Sequence, residues 1–379
     1  MSNSATGKIP ILIASTLKPV RDSRAFEKLA QSLGETNKYE VNIIGFSPEK
    51  PDSTPGFRFF SSMSHFHSIW DRVLAQVRFS FCLFTTRPQL LIVCTFELLP
   101  LASLFKLIFR YKLIYDVQEN YLFNLTYGST HHGLKLLIGK LVIQWAESLP
   151  GVDFYFLAEK CYAEEMPDKK PRLILENKFK GRMKICENRT FQGKRTFIFS
   201  ITGTLSRGYG TNLGVAWFKE ILSDYPDSIL ILCGHVPVKE FEKELRELAN
   251  TIPQIQLNIS ENPVPHDQIL EVISSSDFCL LPYPILPSIQ SKIPTKLFEC
   301  AALRVPVLIT ENPVWENFFN EYNGGISVDF QDRTSAQRSF DLAIHQSYFN
   351  SPVPSSIFWD DQVSELIAQV EKLLSGIDK

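Results

Sequence analysis

Residues 293–310 read Ile293-Pro-Thr-Lys-Leu-Phe-Glu-Cys-Ala-Ala-Leu-Arg-Val-Pro-Val-Leu-Ile-Thr310, and two elements are written in them. Pro294 suits the first turn of a helix, where its missing N–H would have no helical partner and its fixed φ is already helical. The helix so started runs to Ala302. Val307–Thr310 is a short apolar run of the kind made by a parallel strand buried on both faces. A similar run, Phe278–Leu281, comes before. Strand, helix and strand in this order make a βαβ unit, the building block of a parallel sheet.

The same alternation continues in both directions. Upstream in the second half the pattern predicts strand Thr196–Thr202, helix Asn212–Asp224, strand Ser228–Cys233, helix Val238–Asn250, strand Ile255–Ile259 and helix His266–Ser275. Downstream it predicts helix Val314–Asn320 and a short strand near Gly325–Asp329. The first half opens with strand Ile9–Ala14, helix Ser23–Leu33 and strand Glu40–Phe46. After a loop rich in Pro, Ser and Gly come a helix near His67–Thr85, strand Leu90–Thr95, helix Leu98–Phe109 and strand Lys112–Asp116. Helix Gly133–Ser148 and strand Asp153–Ala158 close it. Polar, turn-rich sequence from Glu176 to Lys194 interrupts the alternation and reads as a linker. At 379 residues the chain exceeds what one core usually serves. The expected division is an N-terminal α/β domain over 1–180, a second over 181–350, and a closing helix within 351–379.

Composition excludes several classes. Hydrophobic residues make up 44% and charged residues 21%, with 39 basic against 41 acidic side chains, so nothing marks a nucleic-acid binder. The seven cysteines are scattered without a C-x-x-C pair, and buried reduced thiols are the expected reading. The polar N-terminus lacks an apolar signal region, which makes the cytoplasm the expected compartment. Leu90–Phe109 has the length of a membrane span, but Glu97, Pro100 and Lys106 interrupt it, and strand plus helix is the better reading. Helices Leu98–Phe109 and Gly133–Trp145 pair apolar faces with Lys106, Arg110, Lys112, Lys135 and Lys140. That pattern predicts either peripheral membrane contact or two core-packed helices with solvated lysines.

Ligands of open parallel sheets bind beyond the carboxyl ends of the strands, so chemistry is sought in the loops that enter helices. The first, residues 15–24, carries Lys18, Arg21, Asp22 and Arg24 ahead of a helix. It reads as an anion site or as a solvated basic loop beside a helix capped by Asp22 or Ser23. Glu119 and Asn120 follow the strand ending at Asp116; they offer acceptors and donors to sugar hydroxyls, or simply an acid at a helix start. In the second half Thr202-Gly203-Thr204 and Arg207 precede a helix without the G-x-G-x-x-G spacing, a loop suited to a phosphate approached by backbone. The clearest candidate is the start of helix 294–302. There Pro294 and Thr295 open the helix, Lys296 adds positive charge for a diphosphate, and Glu299 can accept hydrogen bonds from two ribose hydroxyls.

Residues 293–309 resemble the nucleotide-sugar segment of family-4 GT-B glycosyltransferases, in which a ribose-binding glutamate precedes A-x-G-x-P-V-I. Thr202-Gly-Thr-Leu205 is similar to the opening of their donor domain, Tyr115-Asp-Val-Gln-Glu119 to their D-x-H-E element, and Phe358-Trp-Asp-Asp361 to the Y-S-W-E start of their final helix. The resemblance implies the GT-B fold: two Rossmann-like domains facing a cleft, with the last helix crossing back to the first. It also implies a retaining transfer of sugar from a nucleotide-sugar to a glycan or lipid-linked acceptor hydroxyl, with no bound metal and no cofactor. Donor contacts fall on Gly203, Thr204, Pro294, Thr295 and Glu299, and the acceptor side on Asp22, Arg24, Glu119 and Asn120. The chain departs from the family at Ser291, Thr204, Tyr209, Gln118 and Arg304. The departures at Thr204 and Tyr209 remove the usual cation pair of the leaving diphosphate and leave Arg207, Lys292 and Lys296 to replace it, with Arg207 and Lys296 the expected catalytic cations. Another GT-B chemistry, an epimerase or inverting transferase, and a silent scaffold subunit are the rival readings.

Overall fold

The computed structural model describes residues 7–47, 51, 54–62, 69–127, 133–183 and 188–376. The chain divides into two compact units, Met1–Lys180 with Trp359–Lys379, and Gly181–Phe358. In order, the first stretch holds β1 (Ile9–Pro19), a π-helical segment Ser23–Ala30 running into α1 (Gln31–Glu35), β2 (Tyr39–Phe46), β3 (Phe57–Ser61) and α2 (Ile69–Thr86). It continues with β4 (Leu90–Val93), α3 (Leu99–Phe109), β5 (Lys112–Val117), α4 (Tyr121–Tyr127), α5 (Leu134–Ser148), β6 (Phe154–Leu157), α6 (Tyr162–Glu165) and β7 (Arg172–Ile174). The second unit contains β8 (Arg189–Thr190), β9 (Ile198–Thr204), α7 (Thr211–Ile221), β10 (Ile229–His235), α8 (Lys239–Thr251), β11 (Ile255–Ser260), α9 (His266–Ser275) and β12 (Phe278–Leu281). After them come α10 (Thr295–Leu303), β13 (Val307–Ile309), α11 (Pro313–Asn320), β14 (Gly325–Ser327), α12 (Ala336–Ile344) and β15 (Ser347–Tyr348), and the chain ends in α13 (Asp360–Ser375).

Each unit is built on one parallel sheet, of order β3-β2-β1-β4-β5-β6-β7 in the first and β11-β10-β9-β12-β13-β14 in the second. In both, the first long strand is central and the order reverses beside it, which places the switch point at the carboxyl ends of β1 and β9. Differences from the sequence expectation come where local signals conflict. β3 lies in the stretch read as loop, because Pro55 and Gly56 flank a run of only five residues. β1 extends to Pro19, so Lys18 lies on the strand end and not in a loop. His67, Ser68 and Cys186 lie outside the described residues. The chain re-enters the first unit at Trp359 and not at 351: Val353 and Ile357 are buried, and the turn at Ser355–Ile357 packs on α10.

Strand alternation gives the first sheet two cores. Ile11, Ile13, Ile92 and Ile114 face one way, onto Phe26 and Leu29 of the π-helical segment and onto Trp359, Leu366 and Val370 of the chain end. Leu12, Leu91, Val93 and Tyr115 face the other way, onto Phe79, Cys82, Leu99 and Ala102. α13 is tied to this unit by polar contacts too: the Trp359 indole donates to Ser32 Oγ at 2.9 Å, and the Gln362 amide exchanges two 2.9 Å bonds with the Glu176 backbone.

Candidate functional site

In the second unit the residues named for the donor converge at the carboxyl edge of the sheet. Pro294 is the N-cap of α10 with extended backbone, which leaves the first N–H groups of a nine-residue helix at its open end. Lys296 and Glu299 stand one turn apart on that helix, and Lys296 Nζ donates to Glu299 Oε2 at 2.7 Å with both residues buried. The other oxygen, Oε1, lies 3.1 Å from His266 Nε2 at the start of α9. Burial alone would raise the Glu299 pKa; the Lys296 ammonium and His266 override it and hold the carboxyl at about 2. For Lys296 burial likewise works to lower the pKa, and the Glu299 carboxylate more than offsets it.

The β9 loop is brought to the same place. Gly203 has φ +102°, a region costly for side-chain-bearing residues, and a Cβ built there would lie 3.4 Å from Lys296 Cε. Backbone therefore runs beside the ammonium. Further on, Gly210 has φ +72°, and a Cβ there would fall 1.8 Å from the Pro282 carbonyl oxygen, so this turn is pressed onto the loop after β12 and admits only glycine. Thr204 ends β9 exposed, opposite His235 of β10. Pro294, Thr295, Lys296, Glu299 and Gly203 are thus gathered at one edge of one sheet.

Arg207 behaves differently. It opens a short 3-10 turn capped by Ser206 Oγ, and its exposed guanidinium pairs with Glu244 and covers the Phe241 ring at 5.3 Å, both on α8. The cation expected at 207 is thus paired with a carboxylate of α8, the helix that follows the neighbouring strand β10.

In the first unit the expected acceptor residues are largely consumed by structure. Arg24 is the clearest correction. Its Nε and Nη2 reach Asp116 at 2.9 and 2.6 Å, its Nη1 donates to the Leu175 carbonyl at 2.7 Å, and both side chains are buried. Burial opposes the charge on Arg24, and Asp116 outweighs it, so the pKa is raised. Asp22 caps the π-helical segment by accepting from the N–H groups of Arg24 and Ala25, both at 2.9 Å. Asn120 caps α4 by accepting from Phe123 N–H, and its amide donates to Glu165 at 2.8 Å. Asp22 and Glu119 stay half-exposed, and Glu119 lies 3.4 Å from Lys18 on the β1 end.

Two residues with chemistry here escaped the sequence reading. Asp116 was treated as a strand end, because its partner Arg24 is 92 positions away. His266 opens a helix after Pro265, and nothing local shows that it meets Glu299 33 residues on.

No protein-family profile matches the chain, and no curated protein matches it by sequence. Solved structures do. A sucrose-phosphate synthase from Thermosynechococcus elongatus superposes with a TM-score of 0.67 at 11% identity, covering 97% of this chain and 100% of that one. Anabaena HepE in complex with UDP-glucose gives 0.61 at 10% identity over 97% and 100%. WaaG, a glycosyltransferase involved in lipopolysaccharide biosynthesis, gives 0.61 at 13% identity over 94% of each chain. Likeness at such low identity speaks for architecture alone, and the architecture is that of the GT-B glycosyltransferases over the full length of the chain.

Proposed function

We propose that this chain moves a sugar from a nucleotide-sugar donor to an acceptor hydroxyl, with the donor held at the start of α10. The observation that carries the reading is the buried Lys296–Glu299 pair beside the Gly203 backbone at the switch point of a GT-B fold. Glu299 stays ionised because its pKa is about 2, and each of its oxygens receives a single bond from the described residues. Lone pairs remain on both for the two ribose hydroxyls. The diphosphate then meets the N–H groups at the helix start, with Lys296 adjacent.

In the reaction the bond from the anomeric carbon to phosphate oxygen breaks with its electron pair going to the diphosphate. The acceptor oxygen bonds to the anomeric carbon, and its proton ends on the departing diphosphate. Charge develops on the leaving group, where a preorganised cation and helix dipole act without reorganisation. The transfer proceeds with retention, calls on no bound metal or cofactor, and takes a glycan or lipid-linked acceptor. UDP-glucose in HepE supports a nucleoside diphosphate sugar as the donor class. The six described cysteines are free thiols, which fits a cytoplasmic setting.

One observation favours a second reading, a GT-B subunit that binds nucleotide without turnover: the expected partner cation, Arg207, is engaged by Glu244. Calorimetry with nucleoside diphosphates, followed by donor hydrolysis assays without acceptor, separates the two. Binding with hydrolysis supports the transferase, binding alone supports the silent subunit, and absence of binding rejects both. Glu299→Ala should weaken nucleotide binding by about 1.5 to 3 kcal/mol per lost charged hydrogen bond.

A further inference from the structure

One helical layer of the first unit is apolar on both sides. α2, α3 and α5 lie over one face of its sheet, the face lined by Leu12, Leu91, Val93 and Tyr115: Phe79 and Cys82 of α2 and Ala102 of α3 are buried there, and the Tyr115 hydroxyl donates to Glu147 of α5 at 2.9 Å. Surface helices ordinarily turn a polar stripe outward. These do not. On α2 the exposed stripe is Leu74, Val77, Phe81 and Phe84, at helical spacing i, i+3, i+7, i+10. α3 exposes Leu104, Leu107 and Ile108, and α5 exposes Leu134, Ile138, Leu141 and Trp145. Only Ile143 and Ala146 of the fifteen residues of α5 are buried.

The stripes adjoin one another. Phe84 of α2 packs edge-on against Phe105 and Phe109 of α3, at 5.5 and 5.1 Å, and α3 contacts α5. Connections from β3 to β4, β4 to β5 and β5 to β6 all step the same way across a parallel sheet, so right-handed crossovers set the three helices on one side with their outer stripes turned outward together. A contiguous apolar face of this extent marks an interaction site.

The charges on this face select the partner. The exposed charged residues of the three helices and their ends are Arg72, Arg78, Arg87, Arg110 and Lys135, of which Arg72 pairs with Glu97 at 2.7 Å; the acids of these helices and their starts, Asp71, Glu97 and Glu147, are less exposed, and Glu147 is paired with Lys169. Lys106, expected to join the basic set, instead pairs with Asp153 at 2.6 Å. A two-fold contact with a second copy would press this cationic rim against itself. An anionic bilayer accepts both features, burying apolar side chains at the acyl boundary and attracting the rim. None of the described helices is long and apolar enough to cross a membrane, so the face lies on the bilayer and does not span it.

We infer that the outer face of α2, α3 and α5 docks the protein on an anionic lipid surface. Vesicle binding requires neither donor nor acceptor, so this inference stands or falls apart from the transferase reading. Tryptophan burial supplies a clean test: Trp70 and Trp145 are 72% and 56% exposed, whereas Trp217, Trp315 and Trp359 are fully buried. The full chain is mixed with vesicles of phosphatidylcholine alone, or with about one-third phosphatidylglycerol, carrying bromine on the acyl chains. The expected result is sedimentation with the anionic vesicles at low salt and quenching of tryptophan fluorescence. The quenching should disappear in Trp70→Phe/Trp145→Phe while sedimentation persists. Leu107→Glu/Ile138→Glu, both changes at exposed positions, should lower the bound fraction at least tenfold with an unchanged circular dichroism spectrum. Wild-type protein that stays in the supernatant with anionic vesicles at low salt overturns the inference. So does binding without quenching, or a dimer in light scattering that Leu107→Glu splits while vesicle binding is unaffected.

Discussion

Each unit buries one ion pair near the carboxyl end of its central strands, and the two pairs are built differently. In Arg24–Asp116 the Arg24 guanidinium makes three bonds to the carboxylate and one to the Leu175 carbonyl, while Gln118 adds a further donor to Asp116 at 2.9 Å. Nothing of that carboxylate is left for a ligand. Lys296–Glu299 has one direct bond, a histidine on the second oxygen, and glycine backbone alongside. A saturated buried pair fixes the fold locally, whereas an incompletely saturated one at an open sheet edge has capacity left for chemistry. Charge and burial alone, being similar in the two, do not tell them apart.

The comparison is broken most directly at Arg24. Arg24→Ala leaves Asp116 buried without its partner and should cost about 3 to 5 kcal/mol in denaturant unfolding of the first unit. Turnover per folded molecule should stay near wild type, and a large drop there would return Arg24 to the site. Lys296→Ala should do the reverse in emphasis, cutting turnover by about a hundredfold or more through loss of a charge that faces the leaving group. Equal turnover by this variant and wild type would remove Lys296 from the chemistry.

Acid sharpens the same contrast. The Glu299 pKa is depressed to about 2, so the stability it contributes is present above its unfolded value, near 4.5, and is lost as pH falls toward 2. The contribution is on the order of 3 kcal/mol, shared with Lys296. Urea midpoints of wild type and Glu299→Gln should differ at pH 6, differ by about half as much at pH 3, and converge by about pH 2, where this carboxyl titrates in the folded protein. The smallest effect belongs to Arg207. An exposed pair is worth about 0 to 1 kcal/mol, and Arg207→Ala should change stability by no more than that and turnover by only a few fold. A hundredfold loss of turnover would mean that Glu244 releases the guanidinium when donor binds.

What the sequence disclosed follows from how far each signal reaches. α9 and β12 have the bounds that periodicity predicts, and α10 differs by one residue at either end, because hydrophobic spacing and proline placement are local. Lys296 and Glu299 were legible for the same reason, three positions apart at one helix start. The structural partners of Arg24, Asp22 and Asn120 were not legible, because a polar residue ahead of a helix looks alike whether it caps, pairs or binds. Their partners at Asp116, the local N–H groups and Glu165 are set by strand order and turn geometry. His266 was invisible for want of any local sign that α9 and α10 are neighbours.

The return of the chain at Trp359 carries a consequence for biogenesis. Trp359, Leu366, Val370 and Leu374 complete one core of the first unit, yet they are synthesised after the whole of the second. During translation the downstream unit has all its strands before the upstream sheet receives its last covering helix. The upstream sheet must wait with Ile11, Ile92 and Ile114 open on that side, so this nascent chain matures in reverse of its reading order. A stop codon at 359 should therefore yield a protease-resistant downstream fragment joined to a digestible upstream half.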